Sequence, residues 1–454
     1  MFIACPNLIA RNPARPHYGI AVADVDGDGR DEVVIAAHGP NRVLKWDGER
    51  LVDAADPLVE DAARLALGVA CGDVDGDGRE ELYILNTDTA SGPKGVSDRL
   101  FACFGSRWID LMALPESAGV ANRWSGRSVA VIDRAGDGRY GFLVANLGGP
   151  LRLYELDGRG RLADIAEEVG LDAVLDARSL LAAPLIGDLP DVFVGCERGP
   201  NILFRNQGDG AFEEMGEEWG LTDPLNSARG VSTIDADGDG LLDLVLGNWK
   251  GPHRLFQQRP GGGFRDIAPP ELALPSAVRT VIVADFDNDG YEEILFNNLG
   301  EPNRLFGWRE ERWQEIEIGD AAEPDGMGTG AAVADLDGDG QLELIVSHGE
   351  DHPQPLSLYI AEPRGHGWLR VRPLTAAGAP ARGAVVRLTA GGRTQVRAIC
   401  AGSGYLCQME PVAHFGLGDL RQVDRVEVRW PDGSMARIEK PQPCATLTVP
   451  FPGR

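Results

Sequence analysis

Five stretches of the chain gather carboxylates at a spacing that suits a hard divalent cation: DVDGDGRDE at 24–32, DVDGDGREE at 73–81, DADGDGLLD at 235–243, DFDNDGYEE at 285–293 and DLDGDGQLE at 335–343. In the shared pattern D-x-D-x-D-G-x-x-[DE], acids at positions 1, 3, 5 and 9 can converge on one ion. The carbonyl of position 7 adds an oxygen, and glycine at position 6 allows the sharp bend. Hard oxygen donors in a flexible loop suit calcium better than magnesium. The expected ligands are Asp24, Asp26, Asp28, Glu32 and the Arg30 carbonyl in the first loop, and Asp73, Asp75, Asp77, Glu81 and the Arg79 carbonyl in the second. In the later loops they are Asp235, Asp237, Asp239, Asp243 with Leu241; Asp285, Asp287, Asp289, Glu293 with Tyr291; and Asp335, Asp337, Asp339, Glu343 with Gln341. About five calcium ions are expected. An Asx-turn hairpin without metal would explain one such loop; five in register favour the metal.

The elements that position these loops follow from their spacing. Successive motifs start 49 residues apart (24 to 73) and 50 apart (235 to 285 to 335), and the interval from 73 to 235 leaves room for two more units. DRAGDGRYG at 133–141 and a shortened loop at Pro184–Asp191 fill it, making seven. Each unit runs from a small apolar strand, such as Gly19–Ala23, through the acidic loop to a second strand, such as Val33–Ala36, and then a Gly-Pro turn and a third strand. Gly208–Gly210 and Gly261–Gly263 mark a later hairpin. Four short strands per unit of about 50 residues is the arithmetic of a propeller blade. The 3.6-residue apolar period of a helical solenoid is absent. The expected fold is all-β: a seven-bladed β-propeller over 1–365 and a small C-terminal β-domain over 366–454. Met1–Ala10 is expected to supply the outer strand of the last blade.

The opposite end of the ring carries a second set of chemically able residues. Arg127, Arg178, Arg229 and Arg279 recur every 50 or 51 residues, and three of them stand six residues before the first Asp of their loop. That position opens the innermost strand, at the mouth of the central channel. Four guanidiniums there need anions, either a phosphate- or carboxylate-bearing ligand or the protein's own carboxylates. His38 and His348 are read as equivalent positions on neighbouring blades, with His253 and His352 in the same class of loop. Such imidazoles could move protons or hold an additional transition metal at the channel mouth, or simply face solvent. Asn146, Asn248 and Asn298 fill the corresponding place elsewhere, where asparagine caps turns. Trp249 could stack on a ligand or pack between blades.

The 454 residues carry a net charge of −27 and a normal apolar share of 43%. The acidity leaves no basic stripe for nucleic acid. No apolar run is long enough for a membrane helix. Met1–Pro6 shows no basic or apolar leader pattern, which leans the expected location toward the cytoplasm. Seven scattered cysteines without CxxC spacing suggest buried free thiols. Nucleophile elbows, P-loops and HExxH motifs are absent from the sequence.

The acidic loops, with continuations such as Gly199–Phe204, resemble FG-GAP/VCBS repeats, as in integrin α-subunit propellers. Ala401–Leu406, His414–Gly418 and Val426–Pro431 resemble an ASPIC/UnbV domain. The combination is similar to the bacterial relatives of cartilage acidic protein. The resemblance implies structural calcium between the first and second strands of each blade, on the lower face. Three functions are expected to compete. The first is a calcium-stabilised scaffold whose top face or channel binds an anionic small molecule or protein partner. The second is an enzyme of lyase, isomerase or cyclase type, with the arginines holding the anion and His38 or His348 moving protons. The third is an adhesion or interaction module.

Overall fold

In the computed structural model, which describes residues 1–105, 107–350 and 352–453, the apolar repeats become seven four-stranded antiparallel blades, the third and fourth joined into one eight-stranded sheet where Leu147–Pro150 pairs with Val174–Asp176. Position 454, the end of the expected second domain, lies outside these residues. The innermost strands are His17–Ala23, Leu65–Gly72, Gly126–Ile132, Val174–Ala183, Ala228–Ile234, Val278–Ala284 and Gly328–Ala334. Each touches the next, and the last touches the first, so the ring is closed. Phe2–Ala4 pairs antiparallel with Tyr359–Ala361 as the outer strand of blade 7. Closure therefore joins the two ends of the ring through main-chain hydrogen bonds and leaves no free sheet edge there. The innermost strands are small and apolar because seven of them converge; Ile20, Ala21, Val22 and Ala23 are all fully buried.

The C-terminal segment forms two further sheets. Gly367–Pro373 pairs antiparallel with Ala413–Gly418 and parallel with Thr446–Val449. Arg393–Ala398, Val385–Ala390, Arg425–Arg429 and Met435–Glu439 form the other. Leu369, Val371, Val386, Leu388, Phe415 and Trp430 pack between them.

These sheets lie against the face of the ring that bears the acidic loops. Ala377 abuts Gly78, and Trp368 abuts Gly340. From there Cys400–Glu410 runs into the central channel. Ala401 accepts from Val131 N–H at 2.7 Å, Gly404 exchanges two bonds with Val231 at 2.7 and 3.0 Å, and Gln408 does the same with Ile20 and Val22 at 2.9 and 3.1 Å. The Gln408 amide also bonds the Cys71 main chain at 2.7 and 3.0 Å. The glycines in this segment and opposite it are spatial necessities. A Cβ on Gly402, whose φ is +140°, would meet Ala130 at 2.5 Å, and one on Gly19 would meet the Leu406 carbonyl at 2.3 Å. The channel is thus filled by the chain's own plug.

All seven cysteines are free, but only Cys71, Cys196 and Cys407 are buried; Cys444 is exposed. The expectation of buried thiols therefore holds for three.

Candidate functional site

The loops between first and second strands repeat one hydrogen-bond scheme. The first acid accepts from the amides of the turn, as Asp24 does from Gly27 and Gly29 at 2.7 Å. The ninth folds back onto the amide of position 2, as in Val25 to Glu32 at 3.0 Å, Val74 to Glu81 at 2.8 Å and Leu336 to Glu343 at 2.7 Å. Gly27 and Gly29 take φ of +78° and +88°, the left-handed region that favours glycine. In each of the five intact loops, carboxylate oxygens from three acids lie within 4.8 Å of one another. Burial, then the neighbouring acids, pushes the Glu81 carboxyl up to about 9 and Asp285 up to about 8. Asp285 also keeps a buried oxygen, Oδ1, without a hydrogen-bond partner. Clustered all-oxygen donors, with an orphaned buried acceptor on Asp285, fit a calcium ion.

The two degraded loops have replaced that chemistry. In blade 3, Arg134 pairs with Glu155 at 2.7 Å, and a Cβ on Gly141, which stands where the ninth acid would, meets Glu155 at 2.9 Å. In blade 4, Asp191 accepts from Ile186 N–H at 2.7 Å and Asn206 N–H at 2.8 Å, and Asp188 pairs instead with Arg429.

The eighth loop position has a different task. Asp31 meets Arg372, Glu80 meets Arg382 at 2.5 Å, and Glu292 meets Arg397 at 2.9 Å, all from the C-terminal segment. In the acidic doublets at positions 8 and 9, the second acid faces the loop centre and the first anchors the C-terminal segment.

At the other end of the ring, each innermost strand carries a β-bulge six residues before its acidic loop. The pairing register skips Arg127, Arg178 and Arg279, and at the equivalent places Leu67 and Thr329; the wider skips in the remaining blades include Tyr18 and Arg229. A bulge bends its strand and re-aims its side chain. The mouth is therefore ringed by seven bulge residues, four of them arginines. The plug tip reaches this ring: Leu406 and Tyr405 pack with Tyr18 and Leu67, and Arg178 donates to the Tyr405 hydroxyl at 3.2 Å.

Arg178 pairs with Glu197 at 2.5 Å, Arg229 reaches Glu197 at 3.6 Å, and Arg279 pairs with Glu350 at 2.8 Å. Trp249 lies under Arg279 and Arg229, 4.6 and 5.6 Å from its ring. Arg127, 8% exposed, donates among the described residues only to the Ala90 carbonyl. Burial raises the Tyr405 phenol, but Arg178, Arg279, Arg127 and Arg229 outweigh it and bring the phenol down to about 8.

The histidines are placed differently from the sequence reading. His348 lies inside its strand opposite Gly328, whereas His38 follows a strand whose last pair is Ala37 with His17. The two are offset by one residue and are not equivalent. The one-residue difference flips the side chain to another face. His348 shares its place with Asn146, Asn248 and Asn298. It bonds the Pro355 carbonyl at 2.7 Å, as those asparagines bond Pro150, Pro252 and Pro302. It also meets Glu323 at 3.2 Å. His38 stacks against Tyr18 at 4.4 Å. His352 is exposed. Fully buried His253 replaces the asparagine of the Gly-Pro-Asn turns: its Nδ1 accepts from Asn248 N–H at 3.1 Å, as Asn303 accepts from Asn298 N–H at 2.7 Å. Burial brings its pKa down to about 3, so it is neutral. His253→Asn should therefore leave thermal stability within about 1 kcal/mol of the parent, while His253→Ala should cost about 1–3 kcal/mol by stranding a buried amide; urea melts of the two variants check this. Among the described residues, groups of three close ligand side chains occur only in the five acidic loops, so none forms at the channel mouth.

Lys45, Arg309, Tyr405 and the eighth-position acids escaped the sequence reading. The acidic doublets were the available signal for the last of these.

A β-propeller with acidic blade loops, closed by its N-terminal strand and plugged by a C-terminal β-domain, is the class this architecture defines. The FG-GAP-like repeat family matches residues 24–84, 188–246, 235–296 and 285–346, and the ASPIC and UnbV family matches 375–453. The chain belongs to the cartilage acidic protein 1 family. It is 47% identical to the Xenopus tropicalis protein over 93% of this chain and 72% of that one, and 45% identical to the human protein over 96% and 72%. Among solved structures, BBS1N in complex with ARL6DN shares the fold at a TM-score of 0.50 and 11% identity, covering 80% of this chain and 97% of that one. No helix is long and apolar enough to cross a membrane among the described residues.

Proposed function

We propose that this protein is a calcium-stabilised binding scaffold whose top mouth takes an anionic group, a carboxylate or phosphate, from a small molecule or protein partner. The supporting observation is Arg127. Among the described residues its one hydrogen-bond partner is a main-chain carbonyl, and a buried guanidinium so placed, in a chain of net charge −27, holds an unspent preference for an anion. Among the described residues the four arginines form ion pairs there with Glu197 and Glu350. Calcium occupies the five intact loops and supplies charge that holds each blade hairpin together; Asp24, Asp73, Asp235, Asp285 and Asp335, with their loop partners, hold it. The division at 365/366 separates the ring from its plug-bearing domain. The histidines named for proton transfer serve turns or packing, so the binding reading is preferred to the enzyme reading.

Tyr405 reports on the ring. Its phenol should titrate near pH 8, followed by near-ultraviolet absorbance. A bound anion neutralises the arginines and should move the midpoint back toward the ordinary value near 10. Between the two values the folded state carries a phenolate that the unfolded chain lacks, so stability from this group rises with pH across that window and is absent below it. Citrate, inorganic phosphate and an acidic peptide are the probes. Arg127→Gln should abolish the response with an unchanged melting temperature. A midpoint that no probe moves, with no heat of binding, would end this reading.

A further inference from the structure

In two of the five acidic loops a single cation spans three of the carboxylates. Lys45, on the third strand of blade 1, places its ammonium against Asp26, 2.8 Å from Asp28 and 3.2 Å from Glu32. It touches three of the four carboxylates expected to bind metal there. Arg309, at the end of the third strand of blade 6, reaches Asp287 and Glu293 at 2.8 Å and Asp289 at 3.0 Å. Arg364 adds a second guanidinium at 3.3 Å from Asp287.

The other three loops differ. At the register position of Lys45 stand Ala102 in blade 2, Gln257 in blade 5 and Ile360 in blade 7. In blade 2, Arg79 reaches only Asp77, at 2.8 Å. In blade 7, Arg370 reaches only Asp335 within the loop, at 3.0 Å, and is shared with Glu410. Among the described residues no ammonium or guanidinium forms an ion pair with Asp235, Asp237, Asp239 or Asp243; the Gln257 amide, which is neutral, meets Asp237.

We propose that Lys45 and Arg309 are resident counter-cations that set a hierarchy of calcium affinity, so that the loops of blades 2, 5 and 7 fill first and those of blades 1 and 6 fill last. The inference rests on the calcium reading above. An ammonium and a calcium ion compete for the same oxygens, and the incoming ion must displace three charge-assisted contacts in blade 1. Ligand charge count tunes calcium affinity in such loops, and a resident positive charge cancels part of it. Lys45 sits on a flexible stem with its side chain 23% exposed, so it can swing into water when displaced. Arg309 lies over a loop whose Asp285 and Asp287 are each 1% exposed, and it is held there by three carboxylates.

Calcium titration of the full chain, read by isothermal calorimetry and by counting retained ions in native mass spectrometry, tests the hierarchy. The parent should bind three ions tightly and two others roughly tenfold or more weakly, since each displaced contact involves charged partners. Lys45→Met keeps the alkyl stem, removes the charge and should give a fourth tight ion. Asp26→Asn added to it should remove that ion again. Arg309→Met should likewise gain one, and Lys45→Arg should leave the count at three. Five equivalent ions in the parent, or an unchanged count in both methionine variants, overturns the proposal and leaves the calcium reading standing. No ion retained by the parent overturns both.

Discussion

Arg382→Ala is expected to destabilise the protein by about 3–5 kcal/mol, the usual cost of breaking a fully buried ion pair from one side. The Arg382 side chain has no exposed surface, and its partner Glu80 is 2% exposed. One guanidinium joins three parts of the molecule. Its Nε meets Glu80 in the blade 2 loop, its Nη1 donates to Cys400 and Met409 carbonyls at 2.8 and 3.2 Å, and its Nη2 donates to the Val22 carbonyl of blade 1 at 3.1 Å. Cys400 and Met409 flank the plug on both sides. Truncation leaves a buried carboxylate unpaired and three carbonyls without a donor. Burial already pushes the Glu80 carboxyl up, with Arg382 opposing the shift, so the orphaned glutamate would take a proton and lose part of the penalty that way. Urea melts give the stability change, and hydrogen exchange at Ser403–Gln408 shows whether the plug loosens. A parent-like melt with parent-like protection of the plug would refute the anchoring role. Replacing the pair together with Glu80→Leu and Arg382→Met should recover much of the loss, since an apolar pair leaves no stranded charge.

Removal of calcium is expected to have the next largest effect. A ligand that binds only the folded state adds about 2.7 kcal/mol per site when held at a hundredfold over its Kd. Three tight loops therefore make chelation a loss of several kcal/mol. The loss should reach beyond the blade hairpins, because the same loops hold the C-terminal sheets. The Asp285 carboxylate accepts from Gly416 N–H at 2.9 Å, and Asp335 meets Arg370. Differential scanning calorimetry should show a lower melting temperature after chelation, restored by calcium and less well by magnesium, which is smaller and demands near-ideal octahedral geometry. Asp75→Asn should remove part of the calcium dependence and leave the rest. A melting temperature indifferent to chelation would refute the structural role of the ions.

The repeat was readable because its signals are local. Glycine at fixed loop offsets, short apolar runs and a period near 50 residues specify blades whatever else surrounds them, and even the degraded units at 133–141 and 184–191 take their places in the ring. The candidate metal acids were readable for the same reason: all four carboxylates of a loop lie within nine residues. Arg127, Arg178, Arg229 and Arg279 were legible as a series, because a bulge at one register position repeats with the blade. The histidine pairing was misread by one residue: His38 stands one place further from the first Asp of its loop than His348 does from its own, an offset already present in the spacing, and strand register shows that His348 matches Ala37.

What sequence alone determined is therefore the blade count, the closure by the N-terminal strand and the acidic loops. Tertiary structure alone decided what those parts do to each other. The acidic doublets single out Asp31, Glu80 and Glu292 but nothing local names what they dock, because their partners Arg372, Arg382 and Arg397 lie over a hundred positions away in the chain. Nothing local marks Ala401–Gln408 as a plug, because its hydrogen bonds are made to strands of five different blades. The same distance hid Tyr405 from the arginines that lower its pKa. Contacts between residues close in sequence are written in the spacing; contacts made by packing one closed ring against a distant segment exist only after folding.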